Sequence, residues 1–515
     1  MLAGIWVDPN LPDYLPLTAS GWWLAGRISE SPLEIIHAAN LILHALSAVL
    51  FAALLRKLAL PGAWIATVLY AVHPCCVESV AWASEFKNCL SQPLYLAAAV
   101  SWAQSGLLAS NRIKRHGWYI ASFGFFVAAL LSKPAGVMLP LVLLLLGWWK
   151  TGHLSWHVVL AAVPHLASAT IAGTVTLHFQ VNHAIDAQGL AAFDVAERLA
   201  RLGPCIFWYV GQLFWPAHRT PLVSDLIQTP SLAVSVIASL ALANCFLVAL
   251  KGRPRLLRSV AIALIGFSLM LLPVLGLLPM SFHRVGWVAD RFMYLPMLCL
   301  VAPVGVGLTL LGQRLGVHGQ RVVTLVASLV IASLVVMSHD YARAWCTDHT
   351  LWTLALQKDP QAWLAHGRLG VIELKAGRSD IAMTHFLAAS RLKPELHETH
   401  ANLGTALRTV GRIEEAIAEY RRALSLAPDN EQNLVNLTNA LGLTGRTGES
   451  ESILRSHLDR RPSSAVAWTM LGLTLEARGR RAEAVWALKK ALQVNPSLNE
   501  ARSALGVLEP NTDVP

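Results

Sequence analysis

The sequence predicts an all-α protein in two parts, a polytopic helical membrane domain followed by an α-solenoid of stacked helix pairs. Of its 515 residues 55% are hydrophobic and only 14% charged, against about 25% charged in an ordinary soluble domain. The charge is unevenly spread: residues 1–339 hold 20 Lys+Arg and 11 Asp+Glu, whereas residues 340–515 hold 21 and 20. In the second part Pro360, Pro394, Pro428, Pro462 and Pro496 recur at steps of 34. This composition excludes a disordered chain, and seven cysteines exclude a disulfide scaffold. The net charge of +10 leaves an anionic surface, nucleic acid or membrane topology as its explanation.

Residues 1–32 contain no apolar segment of signal-peptide type. Their charge places them outside the membrane, so the reading takes them as the remnant of a first outer loop and expects one further helix ahead of them. Apolar runs fill 33–339, with spans at 33–55, 61–77, 89–109, 117–132, 134–149, 156–177, 231–250, 259–279, 292–312 and 322–339. A span needs roughly 17–25 residues, so the 117–149 pair is tight, and Lys133-Pro134 predicts a sharp re-entry between its members.

Alternate loops carry Arg56, Lys57, Arg112, Lys114, Arg115, Lys150, Lys251, Arg253, Arg255, Arg258, Arg314 and Arg321, with no acidic residue among them. The remaining loops mix signs. The positive-inside rule puts the first set in the cytoplasm and the second outside. A crossing within 201–229 would invert this order. That segment therefore reads as interfacial, with Trp208, Tyr209 and Trp215 suited to the headgroup layer. About ten crossings then place the C-terminal part outside. The basic surplus orients the chain and calls for no nucleic-acid partner.

Three charged motifs fall at outer-face helix ends. The first is His73-Pro-Cys-Cys-Val-Glu78 running on to Trp82, Glu85 and Lys87. Its Glu78, Trp82 and Glu85 are spaced to share one helix face. The second is Ser132-Lys133-Pro134, and the third is Asp290-Arg291-Phe-Met-Tyr294-Leu-Pro296. Ionisable groups at membrane depth default to function, and the competing reading is a structural pair such as Asp290 with Arg291. His37, Asn40 and His44 form a polar stripe on the first span, which reads as helix–helix hydrogen bonding. Cys75 and Cys76 are adjacent, and neighbours rarely bond each other. No zinc spacing, P-loop or dinucleotide fingerprint is present, so no metal and no cofactor is expected.

The 34-residue period is that of the tetratricopeptide repeat (TPR), a pair of antiparallel helices. After a linker helix at 340–358, the repeats run from 359 to 508 as four units and a capping helix, before a tail at 509–515. Leu369-Gly370, Leu403-Gly404, Leu471-Gly472 and Leu505-Gly506 fit the small-residue slot, and Leu437-Thr438 fits it less well. Gly377, Gly411, Gly445 and Gly479 mark the intra-repeat turns, and Phe386 and Tyr420 fill an aromatic slot. Ala382, Ala416 and Ala484 allow close helix packing, with Ser450 in their place in the third unit. Asn402 and Asn436 lie one repeat apart, with Asn439 one turn on. Their amides suit the backbone of a bound peptide, or they are solvated helix positions.

Taken together, the His73-Pro74, Glu78-Ser-Val-Ala-Trp82, Glu85-Phe-Lys87, Ser132-Lys133-Pro134 and Asp290-to-Pro296 motifs, followed by TPRs, resemble bacterial transmembrane TPR proteins. These are similar to the transmembrane-and-TPR O-mannosyltransferases of the GT-C glycosyltransferase class. The resemblance implies a GT-C-like membrane fold, a polyprenyl-phosphate sugar donor with mannose as the candidate sugar, a protein or lipid-linked acceptor, and inverting transfer. It also implies a first span and an acidic first-loop motif, which neither Asp8 nor Asp13 matches; Gly147 and Gln212 stand where the group has an acidic residue and a lysine.

On this reading Glu78, Asp13 and Asp290 are the candidate catalytic carboxylates. Lys87, Lys133 and Arg291 would stabilise the departing lipid phosphate, where charge develops. His73, Glu85 and Tyr294 complete the candidate site, and Asn402, Asn436 and Asn439 would hold an acceptor peptide. The alternative is a catalytically inactive, membrane-anchored TPR scaffold. In either case the chain is placed in the bacterial inner (cytoplasmic) membrane, multi-pass, with its TPRs on the periplasmic side and with lipid and a bound protein as partners.

Overall fold

The computed structural model describes residues 2–7, 13–110, 113–181, 195–216, 219–221, 232–251, 255–278 and 280–509. Asp8, Arg112, Asp186, Asp194, Asp225, Arg253 and the tail 510–515 lie outside them. Described residues form helices and no strands. The chain divides into two compact units, Met1–Leu354 and Ala355–Pro515. The compositional break at Asp340 falls inside a helix of the first unit, because that helix stays unbroken to Ala344.

In the first unit the helices are α1 (Leu2–Val7), α2 (Pro16–Ile28), α3 (Pro32–Lys57), α4 (Ala63–Ala71), α5 (Val77–Ala81), α6 (Phe86–Ser105), α7 (Leu107–Ser110), α8 (His116–Ser132), α9 (Leu139–Thr151), α10 (Trp156–Phe179), α11 (Val195–Phe214), α12 (Leu232–Lys251), α13 (Arg255–Leu271), α14 (Met297–Arg314) and α15 (Gly316–Ala344). α6 lies between α3 and α8. Its Tyr95 and Trp102 are fully buried, and Ala98, Ala99 and Ala103 let the neighbouring backbones approach. The unit's largest apolar core forms around these residues.

By length and composition six helical segments among the described residues could cross a membrane, or seven if α4 and Pro74–Ala81, bent by 52°, are one span. The hydropathy reading expects ten. For two of the expected spans the difference has a physical cause. α6 carries Asn88, Ser91, Gln92 and Pro93 in its first turns, and α8 has only 17 residues. The chain does break at Lys133-Pro134: α8 stops at Ser132, Lys133 is extended (φ −161°, ψ 122°), and a 3-10 turn at Pro134–Gly136 leads into α9.

The 201–215 segment is the greater part of the amphipathic helix α11, which buries Arg201, Cys205, Tyr209 and Leu213 and exposes Leu199, Phe207 and Phe214. Of the three aromatics assigned to the headgroup layer, Trp215 is exposed but Tyr209 is fully buried, its hydroxyl accepting from the Ala289 amide at 3.1 Å. The polar stripe of α3 also divides. Asn40 is buried and donates to the Val80 carbonyl at 3.2 Å, His44 bonds the Tyr294 hydroxyl at 2.8 Å, and His37 is exposed.

The second unit begins within α16 (Asp348–Lys358) and stacks α17 (Trp363–Lys375), α18 (Ser379–Leu392), α19 (His397–Thr409), α20 (Ile413–Leu426), α21 (Glu431–Leu443), α22 (Thr447–Arg460), α23 (Ala465–Ala477), α24 (Arg481–Val494) and α25 (Asn499–Leu508). Each helix packs on its neighbours in sequence, as repeat arrays require. The four turn glycines have φ between 72° and 81°, a conformation that side chains resist. Gly404 serves a different end: a Cβ there would lie 2.7 Å from the buried ring of Tyr420. In the third repeat hydroxyls stand in for the small residues. Thr438 bonds back to the Leu434 carbonyl, and Ser450 bonds Thr474 at 3.2 Å.

Candidate functional site

The motifs of the first unit converge on one buried ion network. Glu78, on α5, is fully buried and accepts from the Arg291 guanidinium at 2.5 Å and from the Arg291 amide at 2.9 Å. Glu85 ends a 3-10 turn and lies 3.7 Å from Arg291, 3.5 Å from Lys133 and 3.9 Å from Lys87. Lys133 also donates to Asn88 at 2.5 Å, and Asn88 in turn donates to Glu85 at 2.7 Å. Phe282 and Phe292 flank the Arg291 guanidinium at 4.4 and 5.1 Å, within cation–π range.

Two sequence expectations are corrected here. Glu78, Trp82 and Glu85 do not share one helix face, because the backbone is extended at Trp82 and starts a new turn. The two glutamates meet through Arg291 instead. Nor do Asp290 and Arg291 pair with each other. Neighbours on a 3-10 turn diverge, and Asp290 instead meets Arg219 at 2.6 Å, both residues being buried. Arg219 also donates to the Gln212 carbonyl at 2.7 Å, fastening the end of α11.

The other candidates take different roles. Asp13 is exposed and accepts from Gln180 at 2.7 Å, with no bond to the network among the described residues. His73 is a strut: its Nε2 bonds the Leu213 carbonyl at 3.0 Å, and its Nδ1 accepts from the Cys75 amide at 3.2 Å. Tyr294 is buried, and its carbonyl accepts from Gln92 at 3.0 Å. Cys75 and Cys76 are buried free thiols lying 3.6 Å from Met293 and Met297 respectively.

The network sets two charge states. Burial pushes the Glu85 carboxyl up, but Lys133, Lys87 and Arg291 outweigh it and hold it below the usual carboxylate range. Burial raises Asp290, and Arg219 only partly offsets this. Lys87, Lys133, Arg219 and Arg291 face Glu78, Glu85 and Asp290, leaving one cation in excess. One atom is left over: Asp290 Oδ2 is buried with no hydrogen-bond partner among the described residues. A cavity of about 30 Å³ beside Lys133, Arg291 and Tyr294 has room for little more than a water.

Sequence reasoning missed the parts played by Arg219 and Asn88. No spacing signal ties either to its partner, and only the type of each residue could have flagged it.

In the second unit the side chains of Asn402 on α19 and Asn436 on α21 are half-buried, and that of Asn439 is exposed. Asn436 accepts from Gln432 at 3.1 Å, whereas among the described residues no hydrogen bond holds the amides of Asn402 and Asn439. Asn433, one turn before Asn436, is buried and bonds the Ala423 carbonyl at 3.1 Å and His397 at 3.2 Å, so it belongs to the repeat interface.

Comparison with known proteins bears on this second unit. Tetratricopeptide-repeat models match residues 397–430 and 465–498, the second and fourth helix pairs. Similar solved structures include MamA 41-end from Desulfovibrio magneticus RS-1, at 18% identity over 29% of this chain and 84% of that one, with a TM-score of 0.26. YrrB, a TPR protein with an unusual peptide-binding site, is 22% identical over 35% of this chain and 90% of its own, with a TM-score of 0.27. Pseudomonas aeruginosa pilF is 24% identical over 29% of this chain and 68% of its own, with a TM-score of 0.26. No curated protein matches the chain. The chain carries C-terminal TPR repeats, a module of protein interaction, joined to a helical unit rich in apolar helices.

Proposed function

We propose that the chain is a multi-pass membrane protein whose TPR stack captures an extended segment of a partner protein. The observation that carries this is the pair of uncommitted amides, Asn402 and Asn439, beside Asn436 on successive repeats. An amide side chain both donates and accepts, so it can pair with a peptide backbone whatever its sequence. The acid-free basic loops support a placement with the repeats outside the bacterial inner membrane. The test uses the full-length protein in detergent against a displayed library of random dodecapeptides. Enriched peptides should bind, and Asn402→Ala with Asn439→Ala should weaken them about tenfold, two hydrogen bonds being worth roughly 0.5–1.5 kcal/mol each. Enrichment that the double substitution leaves untouched would sink this reading.

A second reading is glycosyl transfer from a polyprenyl-phosphate sugar. It is favoured by the excess cation of the network and by the unpaired Asp290 oxygen. Lys133 and Arg291 would face a departing phosphate, and a carboxylate among Glu78 and Asp290 would take the acceptor proton. Transfer of labelled mannose from such a donor should fall at least a hundredfold in Glu78→Gln and Arg291→Ala. Equal transfer by all three proteins removes these residues from any mechanism, and no transfer by the wild type leaves the scaffold reading alone.

A further inference from the structure

A long apolar cavity of the first unit runs from beside the ion network toward the far ends of its helices. It measures about 580 Å³ and is lined by α3, α6, α9, α13 and one face of α14. Along α14 that face runs through Leu298, Ala302, Val306 and Leu310 to Arg314. At 1.5 Å per residue this is about 24 Å, most of the roughly 30 Å hydrocarbon core of a bilayer. The volume falls within the roughly 300–1,000 Å³ of ligand pockets, and the shape is a slot rather than a bowl.

Its two ends differ. At the end near the network the hydroxyl of Tyr95 is already committed, donating to the Lys133 carbonyl at 2.6 Å and accepting from the Gly136 amide at 3.0 Å. Lys133 and Arg291 are themselves engaged by Glu85 and Glu78. At the other end stand Arg314, Trp149 and Ser259, with Trp149 donating to Ser259 at 3.0 Å. Arg314 is exposed and has no ion-pair partner among the described residues. Lys150, one residue after the lining Trp149, and Arg258, one residue before the lining Ser259, lie in terminal turns of α9 and α13 without acidic neighbours in sequence. The slot therefore offers apolar walls along its length and positive charge at one mouth.

We propose that this slot binds one acyl chain of an anionic phospholipid, with the lipid phosphate at Arg314. The inference rests on the membrane reading. A chain entering from the basic face and held extended covers the apolar walls, and the phosphate meets a guanidinium suited to it. The opposite assignment, a lipid whose phosphate sits at Lys133 and Arg291, would place the anion beside Glu85 and Glu78, the carboxylates that engage those two cations.

The test is native mass spectrometry of the full-length protein released from nanodiscs of equal parts phosphatidylglycerol and phosphatidylcholine. One retained phosphatidylglycerol is expected. Ala302→Phe on α14 and Ala263→Phe on α13, both lining the slot, should each cut retention on the order of tenfold. Arg314→Gln should leave a lipid bound but reduce the preference for phosphatidylglycerol about fivefold, the worth of one basic side chain at a bilayer surface. Retention unchanged in both phenylalanine variants overturns the proposal. So does a preference lost in Lys133→Gln and kept in Arg314→Gln. If the bulky variants fail to fold, the exposed Arg314 decides alone. Recovery of the wild type from cells without detergent would instead overturn the membrane reading beneath it.

Discussion

Glu78 and Glu483 each meet an arginine at 2.5 Å, yet the two pairs live in different solvents. The side chains of Arg291 and Glu78 are 13% and 1% exposed, whereas those of Arg480 and Glu483 are 37% and 49% exposed. Water screens the second pair and is nearly absent from the first. The buried pair is one link in a network that joins α5, the turn at Glu85, Lys133 and the turn before α14. The exposed pair is one rung of a ladder, in which Arg412 meets Glu415 and Arg446 meets Glu449, both at 2.6 Å. Distance alone therefore says little about what an ion pair does. Solvent and connectivity decide it.

The sharpest way to break the comparison is to remove one buried partner. Arg291→Ala strands Glu78 and Glu85 without their shared cation and should cost about 3–5 kcal/mol, read as a large drop in the thermal unfolding temperature in detergent. A loss no larger than that of a surface substitution would mean that water already reaches the network. In the second unit packing, not charge, carries the comparable cost. Gly404→Ala drives a methyl group into the Tyr420 ring and should cost about 1–3 kcal/mol. Gly367→Ala, whose methyl group meets nothing within 4 Å, should be neutral or stabilising by about 0.5–1 kcal/mol. Hydrogen exchange of α19 and α20, and of α17, in the full-length protein separates the two.

A smaller effect sharpens the network from the side of pH. Glu85 is held below the usual carboxylate range, so the folded state binds its proton later than the unfolded state on acidification. Its contribution is present above the unfolded value of about 4.3 and is lost as pH falls through the folded value. Asp290, raised by burial, works in the opposite sense: its contribution is present below the unfolded value near 3.9 and is lost as pH rises. Glu85→Gln should flatten the acid limb of the unfolding temperature between about pH 3 and 5, and Asp290→Asn should steepen it. The same acid limb in wild type and Glu85→Gln would show that Lys133, Lys87 and Arg291 do not act on that carboxyl.

How much of this was legible in the sequence follows from the chain distance between partners. A TPR turn is local. Its glycine, small-residue and aromatic slots repeat every 34 residues, so the helix pairs could be read directly. Long apolar helices announce themselves by composition, but α6 hides its polar first turns inside a run that reads as a span, and α8 is short. The network's members were named by residue type at helix ends. Their pairing was not legible, because Glu78 and Arg291 are 213 residues apart and only tertiary packing chooses between Asp290's neighbour and Arg219. The break at Trp82 was equally hidden. Its carbonyl and that of Val80 accept from Asn40, a residue some 40 positions away.

The last prediction concerns the exposed ladder and is the smallest. Arg480 bonds Glu483 at 2.5 Å and Glu451 at 2.8 Å, so on a diagram it looks as well tied as Arg291. Its side chain is flexible and solvated, and holding it in one geometry costs entropy that the screened attraction barely offsets. Arg480→Gln should therefore leave the unfolding temperature of the full-length protein within replicate scatter, and adding salt should not move wild type and variant apart. A clear loss would show the rungs acting as one cooperative network along the stack. In that case the ladder, like the buried cluster, would derive its strength from connectivity, and solvent exposure would no longer separate the two regions.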